Sequence, residues 1–430
     1  MAAFLAVTGL VVGLLATRGL ASPLLTAAVW VVTQSLLNRW PFGGFSWTEV
    51  GVALHDVAAA RALAAVGGVA LMTFVTVALA GFVVDLVVAL GDREGRPAVL
   101  AGGGAALLLV ATVTADVARF DPEPTGHLHL AVLQGDDEEL PLAEQRTQQL
   151  TDDHLALAAE LEGDLDLIVF PEGALDTDPE QDPALRDALT ELADEHGAAL
   201  LVNARVPVDR DAAANGADDR IHNANLFYDV DGTLHDEYAK QHLVPFGEYV
   251  PLRGLFGNLD ALRTNVPYDF TPGDETVVFD VKGRPVGSVI CFESAFGSLV
   301  RDQVRAGAEA IVVSTNNRSY RRSGNTDQHL ALGQLRAAET GRPVVQASVS
   351  GVSAIIDADG RVHDRTELFE KAIVDATIVT TRGETLYVRF GDWIVWACCA
   401  ALVVATVIAL RRRAPEPVGS SPDAVNSAAN

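Results

Sequence analysis

The sequence predicts an α/β sandwich domain attached to a bundle of transmembrane helices, and three observations carry that prediction. The 430-residue chain is 49% hydrophobic with a mean hydropathy of +0.22, more than a soluble globule usually shows. Its apolar surplus gathers at the two ends, up to about residue 116 and again over 393–410, in runs suited to a bilayer. Between them, short β-rich runs alternate with helical patterns, as in a layered fold with helices on the outer faces of its sheets.

The membrane elements come first. "MAAFLAVTGLVVGLLAT" and "SPLLTAAVWVVTQSLL" are apolar segments at the short limit for a span, which takes roughly 20 residues. Residues 62–90 are long enough by themselves, with Asp85 as their one acidic residue, and "PAVLAGGGAALLLVATVTA" (97–115) makes a fourth span. A fifth, "WIVWACCAALVVATVIAL" (393–410), ends at Arg411, Arg412 and Arg413. No basic stretch precedes the first segment and more spans follow it, so it reads as a helix, not a cleaved signal. Basic residues kept in the cytoplasm orient such bundles. The triple arginine places the C-terminus inside, and five spans then place the intervening domain outside, with Arg18, Arg93 and Arg96 inside. Arg39 and Arg61 face outward in this arrangement, against the rule. The loop "NRWPFGGFSWTEVG" (38–51) reads equally as an interfacial aromatic belt or as a substrate-facing loop. The expected division is therefore 1–116 as membrane helices, 117–392 as an extracytoplasmic domain, 393–413 as the last helix, and 414–430 as a disordered cytoplasmic tail.

In the domain, strands are expected at 127–134, 165–172, 198–205, 224–232, 286–293, 308–316, 342–350 and 352–360. Helices are expected around 140–161, 180–196, 295–306 and 326–340. "DVDG" and "DADG" are hairpin-turn signals. The chain carries 57 acidic against 31 basic residues, a net charge of −26, which argues against a nucleic-acid partner. Three cysteines without a ligand-like spacing make neither a disulfide framework nor a zinc site, and no metal or cofactor is expected.

Three strand ends carry chemistry. "IVFPEGAL" places Glu172 after an apolar run, "YAKQHLVPFGEYVPLR" carries Lys240 and Glu248, and "VICFES" carries Cys291. Singly, each has a plain reading: a core thiol, a helix-capping carboxylate, a surface lysine. Together they complete an acyl-transfer set. A thiol needs a base or a positive field before it attacks, a desolvated carboxylate can be that base, and a lysine can hold the oxyanion that follows.

The order FPE, then KQHLVPFGEYVPLR, then CFE resembles the nitrilase superfamily, and within it the bacterial apolipoprotein N-acyltransferase branch. "PFGGFSW", "RAAETGRPVVQ" and "SGVSAIIDADG" resemble the same branch, so the likeness runs from about Trp40 to Asp392. The resemblance implies an αββα sandwich and a Glu-Lys-Cys triad: Glu172 as general base, Lys240 at the oxyanion, Cys291 as nucleophile. It further implies Glu248 as a supporting glutamate, Glu293 after the nucleophile, and Asn223 contacting the site, with Asn225 as a near rival. The Phe292 amide is the expected second oxyanion donor. The implied partners are a phospholipid acyl donor, a diacylglyceryl-modified lipoprotein acceptor and the lipid bilayer of the cell membrane.

Two departures stand out. The family has about eight spans where five are read here, so three are expected to be missing at the N-terminus, either because the start of the reading frame is misplaced or because this member is shortened. "NNRSYRRSG" also lacks the family's tryptophan after the nucleophile. In that stretch Arg318, Arg321 and Arg322 form a basic cluster that reads either as a solvated loop or as a contact for lipid phosphate. Two other functions stay open at this level: a membrane-tethered amidase acting on a small amide, and a non-catalytic membrane scaffold.

Overall fold

The computed structural model describes residues 1–137, 143–175, 177–256 and 266–411. Arg412, Arg413 and the tail 414–430 lie outside the described residues, as does the start of the helix expected from residue 140.

Two six-stranded sheets form the domain. The first contains β1 (Glu123–Gln134), β2 (Leu167–Val169), β3 (Ala199–Pro207), β4 (Ile221–Tyr228) and β5 (Leu234–Ala239), in the order β12-β1-β2-β3-β4-β5. The second contains β6 (Val278–Val281), β7 (Arg284–Ile290), β8 (Ala310–Thr315), β9 (Val344–Ser348), β10 (Ala354–Ile356) and β11 (Val362–Arg365), in the order β11-β10-β9-β8-β7-β6; β12 is Ala372–Arg382. Strands β1, β2 and β3 run parallel, as do β7, β8 and β9. Inward-facing residues such as Leu130, Val169, Ile290, Val312 and Val345 pack between the sheets, where each buried aliphatic side chain contributes about 1.5–3 kcal/mol.

The helices outside the membrane region cover the two outer faces. Ala143–Ala158 and Pro183–His196 pack on the first sheet through Leu157, Leu185, Leu189 and Leu192. Gly297–Arg305 and Asn325–Thr340 pack on the second through Val300, Val304, Leu330 and Ala337. This is the αββα arrangement that the sequence leads one to expect. Both turn signals fall at hairpins: Gly232, between β4 and β5, has φ +73°, and Gly360, between β10 and β11, has φ +78°. β5, β6, β11 and β12 fall outside the expected strands. All of β11 lies at or near the surface and β12 alternates buried with exposed residues, so neither shows a continuous apolar run.

Ahead of the domain come α1 (Ala2–Thr17), α2 (Pro23–Leu37), α3 (Ala58–Gly91) and α4 (Gly95–Val117); Trp393–Arg411 follows it. Among the described residues, α3, α4 and Trp393–Arg411 are long and apolar enough to cross a membrane, while α1 and α2 are shorter apolar helices. α3 is broken at Gly67 and Gly68. Gly68 has φ +67°, and a Cβ there would lie 2.7 Å from the Tyr387 ring, so only glycine fits both the backbone and the space. The break frees the Val69 amide, which donates to the buried Glu339 carboxylate at 2.9 Å. The stretch before the break packs on the domain through Ala60, Leu63 and Ala64, which meet Leu335, Ala338 and Phe292 in one cluster. The candidate span Ala58–Gly91 contains the expected 62–90, and the break at Gly67 and Gly68 divides it.

Candidate active site

The sheet topology brings the chemistry together. β2 and β3 run parallel, and β4 and β5 each reverse, so β2 and β5 end at the same edge of the first sheet. The parallel strands β7 and β8 end together on the second. Ligand sites in parallel sheets sit beyond the carboxyl ends of the strands. Here Glu172 follows β2, Lys240 follows β5, Cys291 follows β7 and Asn316 follows β8.

Glu172, expected at the very end of its strand, stands in the turn after Val169, beside Gly173 at φ +72°. Its Oε1 accepts from Lys240 Nζ at 3.1 Å and from Asn223 Nδ2 at 2.8 Å, and its Oε2 accepts from the Asn316 amide at 3.1 Å. Lys240 is 1% exposed and also donates to Glu248 Oε1 at 2.8 Å. Asn223 bridges both carboxylates, reaching Glu248 at 3.0 Å, and the Val244 amide holds the other oxygen of Glu248 at 2.8 Å. Asn225 is buried deeper, bonded to Asn203 and to Ser288, so Asn223 is the asparagine that faces the two carboxylates. Burial opposes the Lys240 charge, but Glu172 and Glu248 outweigh it and hold its pKa well above the ordinary lysine value.

Cys291 opens a short 3-10 turn, Cys291–Ala295, with its backbone in the left-handed region at φ +51°. A non-glycine residue there stores about 1–3 kcal/mol of strain and needs its surroundings to hold it. Burial, reinforced by the neighbouring Glu172 charge, pushes the thiol up to about 12, against the pull of Lys240 and a hydrogen bond from Thr315. At neutral pH Cys291 is therefore a protonated thiol, and it would attack as a nucleophile only after handing its proton to a base.

Glu293 does not join the carboxylates around Lys240. It is fully buried and accepts from the amides of Ile290 at 2.7 Å, Gln241 at 2.7 Å and His242 at 3.0 Å, and from the Tyr238 hydroxyl at 3.0 Å. It thus ties the loop after Lys240 to the turn that presents Cys291. Phe292 sits in an aromatic cluster: Trp47 stacks on it at 6.2 Å, and Phe45, His242 and Phe296 surround it. The loop 38–51 therefore packs against the turn Cys291–Ala295. Its Phe42 and Gly43 also line a cavity of about 310 Å³ shared with Gln241, His242, Leu243, Tyr249 and Phe270.

The three arginines differ in their surroundings. Arg318 pairs with the buried Asp137 at 3.0 Å, Arg322 lies over the Phe369 ring at 5.0 Å, and Arg321 is exposed. Tyr320, in the stretch that lacks the family's tryptophan, packs edge-on to Trp47 at 5.7 Å. Sequence reasoning missed Asn203, Asn316, Thr315 and His329. The first two are short polar residues that follow or interrupt buried strands, a signal that was there to read in "LLVNAR" and "VVSTNN".

Comparison with known proteins matches both parts. Residues 110–386 match the carbon-nitrogen hydrolase family model, and residues 1–82 match the apolipoprotein N-acyltransferase N-terminal domain. The chain is 30% identical over 379 residues to the apolipoprotein N-acyltransferase of Geobacter metallireducens, covering 86% of this chain and 71% of that one. It is 32% identical over 393 residues to that of Methylococcus capsulatus, covering 90% and 73%. A solved structure, Saccharomyces cerevisiae Nit3 of the nitrilase superfamily, is similar with a TM-score of 0.44 and 19% identity, covering 65% of this chain and 95% of that one. With both halves matched, and relatives of this identity spanning most of either length, the chain belongs to the apolipoprotein N-acyltransferase family.

Proposed function

We propose that this membrane protein N-acylates lipoproteins by a two-step route through a thioester on Cys291. In the first step Glu172 takes the thiol proton as sulfur attacks the ester carbonyl of a membrane phospholipid. Lys240 and the Phe292 amide hold the oxyanion, and the lysophospholipid leaves with the proton returned from Glu172. In the second step the α-amine of an N-terminal diacylglyceryl-cysteine attacks the thioester, Glu172 accepts the amine proton, and Cys291 is released as the thiol. Glu248 and Asn223 keep Lys240 charged and Glu172 aimed. The observation that carries this reading is the fully buried Lys240 ammonium held between two carboxylates beside a strained cysteine.

For the membrane side, the reading rests on the contacts at the two ends of the bundle taken together with the distribution of basic residues. Arg39 pairs with Asp392 at 2.5 Å and Trp393 Nε1 donates to the Val66 carbonyl, so these meet at the domain end. Arg18 donates to the Ala409 carbonyl at the opposite end, where the α3–α4 turn with Arg93 also lies. The basic residues at that far end support reading it as the cytoplasmic end, with the domain outside the cytoplasm. In this reading Arg39 and Arg61 lie on the outer side, and both have partners there: Arg39 pairs with Asp392, and Arg61 donates to the His55 and Asp359 carbonyls. The cavity behind Phe42 is the proposed entry for the acyl chain.

The test is purified full-length protein in phospholipid micelles with a diacylglyceryl-cysteine lipopeptide. N-acylated lipopeptide and lysophospholipid in equal amounts are expected. Ammonia release from small amides with no lipopeptide product would replace this function with that of an amidase.

A further inference from the structure

Among the buried titratable groups that the mechanism above leaves unused, one lies against the Cys291 turn. His329, on the helix Asn325–Thr340, is 0% exposed and reaches the nucleophile turn from behind. Its Nε2 lies 3.1 Å from the Cys291 carbonyl oxygen and 2.9 Å from Ser294 Oγ. Its Nδ1 lies 2.7 Å from the side-chain amide of Asn317, which also meets Thr315 Oγ1 at 2.9 Å. The rings of Trp47, at 5.2 Å, and Tyr320, at 6.4 Å, close over it. Burial, assisted by the Lys240 charge, keeps the imidazole neutral by pushing its pKa down to about 4.

We propose that His329 is a positioning residue that donates its Nε2 proton to the Cys291 carbonyl, clamps the left-handed backbone of the nucleophile, and frees the Thr315 hydroxyl for the sulfur. Hydrogen-bond bookkeeping selects this arrangement. A neutral imidazole has one N–H, and the Cys291 carbonyl can only accept. With the proton on Nδ1, two lone pairs would face each other at 3.1 Å across a buried contact. The Asn317 Nδ2 would also be left without a partner, as it is when Oδ1 points at the ring; turning the amide passes that position to Oδ1, and an under-used carbonyl is less costly than an orphaned N–H. With the proton on Nε2, the carbonyl is satisfied, Nδ1 becomes an acceptor, and the Asn317 amide turns so that Nδ2 donates to it. Thr315 Oγ1 then no longer spends its proton on Asn317 Oδ1. That proton points to Cys291 Sγ, where a hydrogen bond favours the thiolate.

The consequence is kinetic. The strain at Cys291 persists only while the turn is held, and the Phe292 amide can serve an oxyanion only while that turn keeps its direction. Loss of the clamp therefore lowers the rate of acyl-enzyme formation and leaves substrate binding nearly unchanged.

The test uses full-length protein in detergent, p-nitrophenyl butyrate as the acylating probe, and mass spectrometry to confirm that the burst adduct sits on Cys291. The variants are H329Q, H329N, N317D and T315V. Gln can place an N–H where Nε2 stands, whereas Asn reaches only the Nδ1 position. Asp at 317 has the shape of Asn but can only accept, so it draws a proton to Nδ1 and, while the imidazole stays neutral, takes the donor from Nε2; the burst rate is therefore read on the alkaline side, where the ring carries one proton. The expected result is that H329N and N317D lower the burst rate at least tenfold at unchanged KM. H329Q should recover most of that loss, and T315V should fall between. The acid limb of the pH–rate profile should stay where it is in H329Q, since a neutral positioning group contributes no protonation step. An N317D burst rate equal to that of the parent overturns the proposal. Equal losses in H329Q and H329N that track their melting temperatures also overturn it, as does disappearance of the acid limb in H329Q. Should N317D fail to fold, the comparison of H329Q with H329N decides.

Discussion

Replacing Lys240 by Met removes the ammonium and keeps most of the stem. The structure sets the size of the effect in two parts. Lys240 is 1% exposed and lies 3.1 Å from Glu172 and 2.8 Å from Glu248, so its loss leaves two carboxylates bridged by Asn223 alone. Stripping one partner from a buried ion pair costs about 3–5 kcal/mol of stability. The oxyanion loses one donor in a water-poor site, a rate factor of roughly 10²–10³. A second substitution separates the two effects. Lys240→Met with Glu248→Gln removes the surplus negative charge, so melting temperature recovers while acylation stays down. Lys240→Arg recovers little, because the planar fork does not fit a site shaped for one compact ammonium. The assay is N-acylation of a lipopeptide beside thermal unfolding in the same detergent. Near-normal acylation by Lys240→Met would refute the oxyanion role and much of the triad with it.

Cys291→Ser should fold and melt like the parent yet give no product, measured by lipopeptide acylation, because a serine lacks a base strong enough to ionise it. Alkylation of Cys291 by iodoacetamide should be slow at neutral pH and rise toward about pH 12, where its thiol titrates, with site-resolved mass spectrometry as the readout. Gly68→Ala should lower the melting temperature and loosen the domain from α3, seen as faster hydrogen exchange at Val69, because the new Cβ meets Tyr387 and forces φ from +67°. His154 is fully buried with its pKa pushed down to about 4 by burial, from an ordinary 6.5. The unfolded chain therefore binds the proton first, and stability is full above about pH 6.5 and falls as pH drops toward 4. The share lost is about 3 kcal/mol, which His154→Leu should abolish in unfolding measured against pH.

Much of this architecture was legible in the chain because its signals are local. Gly232 and Gly360 end Asp-x-Asp-Gly turns that can be read from four residues. Glu172 and Cys291 each follow an apolar run, whereas Lys240 follows the polar strand β5; the meeting of the three follows from strand direction once the sheets are known. What stayed hidden depends on contacts distant in sequence. Glu339 looks like an ordinary helix carboxylate until the break at Gly68 presents the Val69 amide to it across 270 positions. Arg318 looks free until it is found against Asp137. His329 looks like one histidine on an amphipathic helix, and only the packing of that helix beneath the nucleophile turn gives its two nitrogens distinct partners. The aromatic loop 38–51 was ambiguous for the same reason, since nothing near it in sequence names Phe292 as the ring it covers.

The central claim is that Cys291 carries the acyl chain between two lipid substrates. Intact-protein and peptide mass spectrometry after incubation with phospholipid alone, without acceptor, tests it most directly. One fatty acyl group on Cys291 is expected, labile to hydroxylamine as a thioester and discharged when diacylglyceryl-cysteine lipopeptide is added. An acyl group on Cys398 or Cys399 instead, or a Cys291 adduct that the lipopeptide does not discharge, would contradict the account.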